Sequence, residues 1–187
     1  MSYLGGAVDD TRESSLTHLV VMGVAGSGKT TAAASLAALT SWPLAEADDF
    51  HPEANIVKMS AGTPLSDEDR WPWLRSLRDW MSAQVDKQSC SIVTCSALKR
   101  VYRDLLSEAK GRVLFVHLVA EQEALRERME QREGHFMPPQ LLPSQFATLE
   151  PLKPDEDGIV IESRETPEQT LAAVLDALES AGVAIAR

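Results

Sequence analysis

The run GVAGSGKT, from Gly23 to Thr30, satisfies the spacing G-x-x-x-x-G-K-[ST] at each fixed position. Glycines at 23, 26 and 28 permit backbone conformations closed to other residues. Consecutive N–H groups, those of Ala25 and Ser27 among them, can then converge on one anion. A helix that starts here and continues through Thr31 turns its positive end toward the same point, so phosphate is held there. Lys29 reaches toward the terminal phosphates and the Thr30 hydroxyl toward Mg²⁺. The chemistry implied is the grip of a nucleoside triphosphate. Motors, switches, pumps and kinases share it, so the phosphoryl acceptor must be read elsewhere.

Further chemistry-bearing residues follow four later segments. Glu46, Asp48, Asp49 and His51 come after a short apolar run. A carboxylate there can orient an acceptor hydroxyl, take its proton, or hold a water on Mg²⁺. Asp48 is the acid expected to do this. Asp49 reads as a helix cap, and His51 either bonds a substrate hydroxyl or caps its helix. Lys99, Arg100 and Arg103 follow the next apolar run, where Arg103 beside Lys99 offers a bidentate clamp for a carboxylate. Arg126, Arg128 and Arg132 precede a loop with Gly134, His135 and three prolines. That is the form of a hinged lid, spanning about residues 126–143, and Arg128 and Arg132 are its expected phosphate-facing cations. Glu162 and Arg164 follow the last apolar run. Arg70 either holds substrate or pairs with Asp67 or Asp69.

The elements that must position these groups alternate. Apolar runs at 18–22, 44–47, 91–95, 112–119 and 158–161 read as five strands. Helices are expected at about 31–39, 52–60, 66–85, 98–109 and 121–132, with a last one opening at Pro167. Ser66 with Asp69, and Thr166 with Gln169, have capping-box spacing. Pro72 implies an irregular first turn in the long helix. Strands linked by helices make an α/β fold with a parallel sheet and helices on both faces. Ligands then gather at the carboxyl ends of the strands, where all five groups lie.

Composition limits the partners. The 187 residues suit one domain, read as 16–187 after a disordered tail at 1–15. A net charge of −10 argues against a nucleic-acid coat, and no apolar run is long enough for a membrane span. The N-terminus has no signal-peptide pattern, and Cys90 and Cys95, at either end of one strand, read as reduced thiols. Together these place the chain in the cytoplasm. His18 and His117 lie in apolar strands and read as satisfied structural histidines.

The motifs together resemble the gluconokinase family. They are GVAGSGKT, then Asp48 to Pro52 with Asn55 and Lys58, then the segments at 63–70, 95–106, 134–136 and 144–150, covering roughly residues 18–180 in order. The resemblance implies ATP- and Mg²⁺-dependent phosphorylation of D-gluconate at its 6-hydroxyl. It also implies a three-layer P-loop kinase fold with five parallel strands in order 2-3-1-4-5, a mobile lid and a homodimer. Residue by residue, it implies nucleotide contacts at Gly23, Ala25, Gly26, Ser27, Gly28, Lys29, Thr30, Thr31 and Arg128. Lys29, Asp48 and Arg132 would be catalytic, and Thr30 and Asp48 would hold the metal. Asp48, His51, Arg70, Lys99, Arg103 and His135 would hold the sugar acid. Two positions depart from the family pattern: Glu46, where relatives often carry Asp, and Pro143, in a segment that is usually plain helix. Another small-molecule kinase of this fold, of the shikimate or adenylylsulfate type, remains open at this point, as do a switch or hydrolase and a non-catalytic sensor.

Overall fold

The computed structural model describes residues 16–125, 142–183 and 185. Strand β1 (Thr17–Met22) lies at the centre of a five-stranded sheet, with β2 (Leu44–Glu46), β3 (Ser91–Thr94), β4 (Arg112–Val119) and β5 (Gly158–Glu162). Every pairing is parallel and the order is β2-β3-β1-β4-β5, the expected 2-3-1-4-5. Six helices accompany it among the described residues: α1 (Lys29–Thr40), α2 (Glu53–Ser60), α3 (Asp67–Asp86), α4 (Arg100–Leu106), α5 (Leu142–Thr148) and α6 (Pro167–Ser180). A further helix opens at Gln122 and is described only to Leu125. No described helix is long and apolar enough to cross a membrane.

Both sheet faces are covered, which is why β1 and β3 are buried at every position rather than alternately. Strand alternation sends Val20, Met22, Val93 and Phe115 toward Trp73, Leu74, Leu77 and Met81 of α3. It sends Leu19, Val21, Ile92 and Val116 toward Ala33 and Leu36 of α1 and Val174 and Leu178 of α6. A third, small cluster joins Val24, Leu98, Leu125 and Leu142, with Phe146 and Leu149 against it. The two capping boxes form as the spacing requires, Ser66 with Asp69 and Thr166 with Gln169.

Several local expectations change. Strand β2 ends at Glu46, and Ala47–Phe50 is a 3₁₀ turn. Helix α4 opens at Arg100, not Leu98, and α3 runs unbroken through Pro72. Pro143 falls in the first turn of α5, where a missing N–H costs no helix bond. His18 is satisfied: its ring nitrogens meet Ser91 Oγ at 2.7 Å and the Lys110 carbonyl at 2.8 Å. His117 differs from expectation, because its buried Nε2 has no hydrogen-bond partner among the described residues.

Candidate functional site

The carboxyl ends of β1, β2, β3 and β5 open on one cavity of about 650 Å³. The glycine loop forms its floor. Gly23 has φ 137°, and a Cβ there would lie 2.5 Å from the Leu118 carbonyl oxygen, so no side chain fits. Gly28, at φ 94°, is the N-cap of α1. No acidic residue occupies the first turn of α1, so nothing within the helix itself offsets its positive end. Lys29 folds back over the loop and donates from Nζ to the Val24 carbonyl at 3.0 Å. Ser163, just after β5, donates to the Ser27 carbonyl at 3.0 Å and ties the far wall to the loop. Ala25, Gly26, Ser27, Gly28, Thr30 and Thr31 all line the same space.

An acidic wall stands beside Thr30. The register sets Glu46 against Thr94. Glu46 Oε2 accepts from Thr94 Oγ1, and from Thr30 Oγ1 at 3.4 Å. Asp48 also lines the cavity, carried there by the 3₁₀ turn rather than by strand alternation. Trp73 Nε1 donates to the Ala47 carbonyl at 2.6 Å and fixes that turn. The His51 ring stacks on Trp73 with centroids 4.0 Å apart. Burial, and then the Arg70 charge, push its pKa down to about 4, so His51 is a neutral hydrogen-bonding group at pH 7. Asp49 is exposed, and the N-cap of α2 is Pro52, so Asp49 caps nothing.

A cationic cluster lines the same cavity. Lys99 Nζ donates to both oxygens of Asp67 at 2.9 Å. Tyr102 donates its hydroxyl to Asp67 Oδ1 at 2.5 Å, and Arg70 donates to the Tyr102 oxygen at 3.2 Å. Arg70 Nη1 lies 3.6 Å from Asp67 Oδ1. Both cations lie over the Tyr102 ring, 5.4 and 5.5 Å from its centre. The Tyr102 hydroxyl bond, followed by Lys99, holds the Asp67 carboxyl below the usual range, and Asp67 in turn raises Lys99. Two cations share one carboxylate here, leaving a net positive cluster at the cavity wall.

Arg103 is a correction. It is 1% exposed and its guanidinium grips Glu156 through both carboxylate oxygens, at 2.7 and 2.9 Å. Its remaining donors go to the carbonyls of Ala97, Leu98, Glu150 and Pro151. A guanidinium so occupied has nothing left for a substrate, and Arg70 takes the place beside Lys99. Asn55 is likewise buried and donates to His51 Nδ1 and the Asp69 carbonyl, which positions His51. The Arg100 side chain turns away to Asp104 and Asp155. Arg126, Arg128, Arg132 and His135 lie outside the described residues.

No family model matches the chain. Individual relatives do. A curated gluconokinase of Gluconobacter oxydans is 46% identical over 157 residues, covering 84% of this chain and 88% of that protein. A solved sugar kinase from a Janibacter species is 53% identical with a TM-score of 0.82, over 91% of this chain and 99% of the other. A solved gluconokinase from Sinorhizobium meliloti is 36% identical with a TM-score of 0.75, over 90% and 94%.

The chain belongs to the gluconokinase family.

For a gluconokinase, two cavity residues, Trp73 and Gln145, and Tyr102, which bonds the lining residue Asp67, escape a reading of the sequence. Trp73 carries the spacing of a core helix face, and it is both core and cavity wall. Tyr102 follows Lys99 by one helical turn, a spacing that does signal a shared face. Gln145 has no local signal, since the Ala25 N–H it accepts from lies 120 positions away in the chain.

Proposed function

We propose that this gluconokinase transfers the terminal phosphoryl group of ATP to the 6-hydroxyl of D-gluconate, giving 6-phosphogluconate and ADP. One observation carries the reading: a single cavity joins the glycine loop, Asp48 and the Lys99–Asp67–Arg70 cluster. A neutral-sugar kinase has no need of that cluster, and a switch has no need of an acceptor end. Family membership removes support from the shikimate and adenylylsulfate readings left open by the motifs.

The roles follow from the chemistry of each group. Loop N–H groups and the end of α1 hold the phosphates, and Lys29 leaves the Val24 carbonyl for a phosphate oxygen. Arg70 and Lys99 exchange part of their hold on Asp67 for the substrate carboxylate. Neutral His51, fixed by Trp73 and Asn55, bonds sugar hydroxyls. Asp48 orients the 6-hydroxyl and accepts its proton as the phosphoryl group arrives.

The residues fit Mg²⁺ near Thr30. Thr30 Oγ1 and the Glu46 carboxylate adjoin each other, and Asp48 lines the same cavity. Glu46 at the end of β2 supplies the carboxylate that a strand-ending Asp on β3 would otherwise bring, and its extra methylene lets it reach back to Thr94. Among the described residues no cage of three or more His, Cys, Asp or Glu forms, so a cation takes its other ligands from phosphate and water. Bound there, Mg²⁺ would neutralise charge developing on the phosphates.

The proposal also includes a lid at about 126–143 with Arg128 toward the nucleotide, Arg132 toward the transferring group and His135 toward the substrate. Their place in the chain, after β4, supports it. A cytoplasmic homodimer completes it, supported by two unpaired cysteines and by the resemblance of the motifs.

Coupled ADP release with MgATP and gluconate, shikimate or common sugars tests the reading. Release is expected with gluconate, and equal release with and without it would sink the proposal. Asp48→Asn should lower kcat while nucleotide still binds, and an unchanged kcat would remove Asp48 from the reaction.

A further inference from the structure

None of the roles above uses Tyr102. It is 2% exposed and sits behind the cavity wall, yet it touches Asp67, Arg70 and Lys99, which line the cavity. It lies in the first turn of α4, just past Lys99, and its ring meets Trp71 edge-on with centroids 5.5 Å apart. Arg70 and Lys99 both lie over that ring. Burial, and then the bond to Asp67, raise the Tyr102 pKa, so the phenol keeps its proton at pH 7. That proton goes to Asp67 Oδ1 at 2.5 Å, which leaves the oxygen to accept from Arg70 Nη1 at 3.2 Å. The hydroxyl thus stands between a carboxylate and a guanidinium that are 3.6 Å apart, beyond hydrogen-bond reach.

The two cations differ in what they have left to give. Lys99 donates to both oxygens of Asp67. Arg70 makes one hydrogen bond among the described residues, to Tyr102, although a guanidinium has five donors. Arg103 is the opposite case, with its donors taken up by Glu156 and four carbonyls. Arg70 therefore brings the fork that a carboxylate fits bidentately. It also lies close enough to Asp67 to close on it. A closed Arg70–Asp67 pair, with Lys99 on the same acid, would occupy the donors that an incoming carboxylate needs.

We propose that the Tyr102 hydroxyl is a spacer that keeps Arg70 from closing on Asp67, and so sets the affinity for the carboxylate of the acceptor. Tyr102 acts through Arg70 and is a positioning residue. The inference rests on the reading of this cluster as the site of the acceptor carboxylate.

Tyr102→Phe keeps the ring under both cations and removes the hydroxyl, so Arg70 should pair with Asp67. Coupled ADP release with MgATP and gluconate reads the result. The gluconate KM should rise about tenfold or more, the worth of a hydrogen bond to a charged group, while kcat and the ATP KM stay close to native. An unchanged gluconate KM, or an equal rise of both KM values, overturns the inference. Adding Asp67→Asn separates spacing from simple support. It removes the charge on which Arg70 closes, so the gluconate KM should fall back toward native. A double-variant KM as high as that of Tyr102→Phe, or higher, overturns the inference, because lost packing is not restored by removing a second partner. If Tyr102→Phe does not fold, Asp67→Asn alone decides. A gluconate KM at or below native is then expected, and a higher one overturns the inference. Native enzyme whose ADP release does not depend on gluconate sinks the reading of the site itself, a result distinct from an unchanged KM in the variant.

Discussion

Replacing Arg103 by methionine keeps the aliphatic bulk of a buried side chain and removes its charge. Glu156, 4% exposed at its side chain, then loses both of its short partners on Arg103. It keeps the Lys153 N–H at 2.9 Å and Arg100 Nε at 3.6 Å. The carbonyls of Ala97, Leu98, Glu150 and Pro151 lose a donor at the same time. Removing one partner of a buried pair costs about 3–5 kcal/mol. A chain of this size loses roughly 2–4 °C of Tm per kcal/mol, so a fall of about 6–20 °C is expected by calorimetry. Adding Glu156→Gln removes the stranded charge and should return part of the loss, while the four carbonyls keep the recovery incomplete. Steady-state kinetics at a temperature where the variant is folded complete the test. The KM values for ATP and gluconate should move together, because Arg103 supports the turn between Ser96 and Lys99 rather than touching either ligand. A Tm within about 2 °C of native, worth only ~1 kcal/mol or less, would refute the structural role. A selective rise of the gluconate KM by about tenfold, some 1.4 kcal/mol, would return Arg103 to the acceptor site.

Arg70→Ala and Lys99→Ala should each raise the gluconate KM more than the ATP KM if these cavity-lining cations hold the acceptor as proposed; the reverse order would put them on the nucleotide. Gly23→Ala should abolish nucleotide binding and lower Tm, because the new Cβ would meet the Leu118 carbonyl at 2.5 Å with φ at 137°; native-like ATP titration would refute this. Burial first, helped by Arg70 at His51 and by Arg103 and Lys29 at His117, pushes both imidazoles down to about 4. The unfolded chain takes up these protons near pH 6.5 and the folded chain refuses them until about 4. Their stabilising contribution is thus full above about 6.5 and is lost as pH falls toward 4. NMR titration should show neither ring protonating above about pH 5, and a midpoint near 6.5 would refute the burial argument. Burial likewise pushes the Cys95 thiol up to about 12, so it should resist thiol reagents until the protein unfolds, and rapid labelling of native protein would contradict its packing.

The phosphate loop was legible because its function lies in local backbone conformation, which three glycines and a following helix determine among near neighbours. The strand order was legible only through resemblance, since alternating strands and helices give parallel pairing but not which strand is central. His51, Lys99 and Arg103 are read from their position after strands and Arg70 from the family resemblance; the cavity takes in His51, Lys99 and Arg70 but not Arg103. Lys99 and Arg103 are four positions apart, yet one meets the cavity and the other is buried. Glu156 decides that, and it is 53 positions from Arg103 along the chain.

By itself the sequence determined a triphosphate grip, an acid beside it and a sheet of parallel strands, because spacing, period and capping act over a few residues. Tertiary structure alone decided which charges face the cavity. It turned Arg103 inward against Glu156, set Tyr102 and Asp67 between Arg70 and Lys99, and brought Gln145 onto Ala25. A charged side chain takes the environment that satisfies its hydrogen bonds, and in this chain those partners lie dozens of residues away.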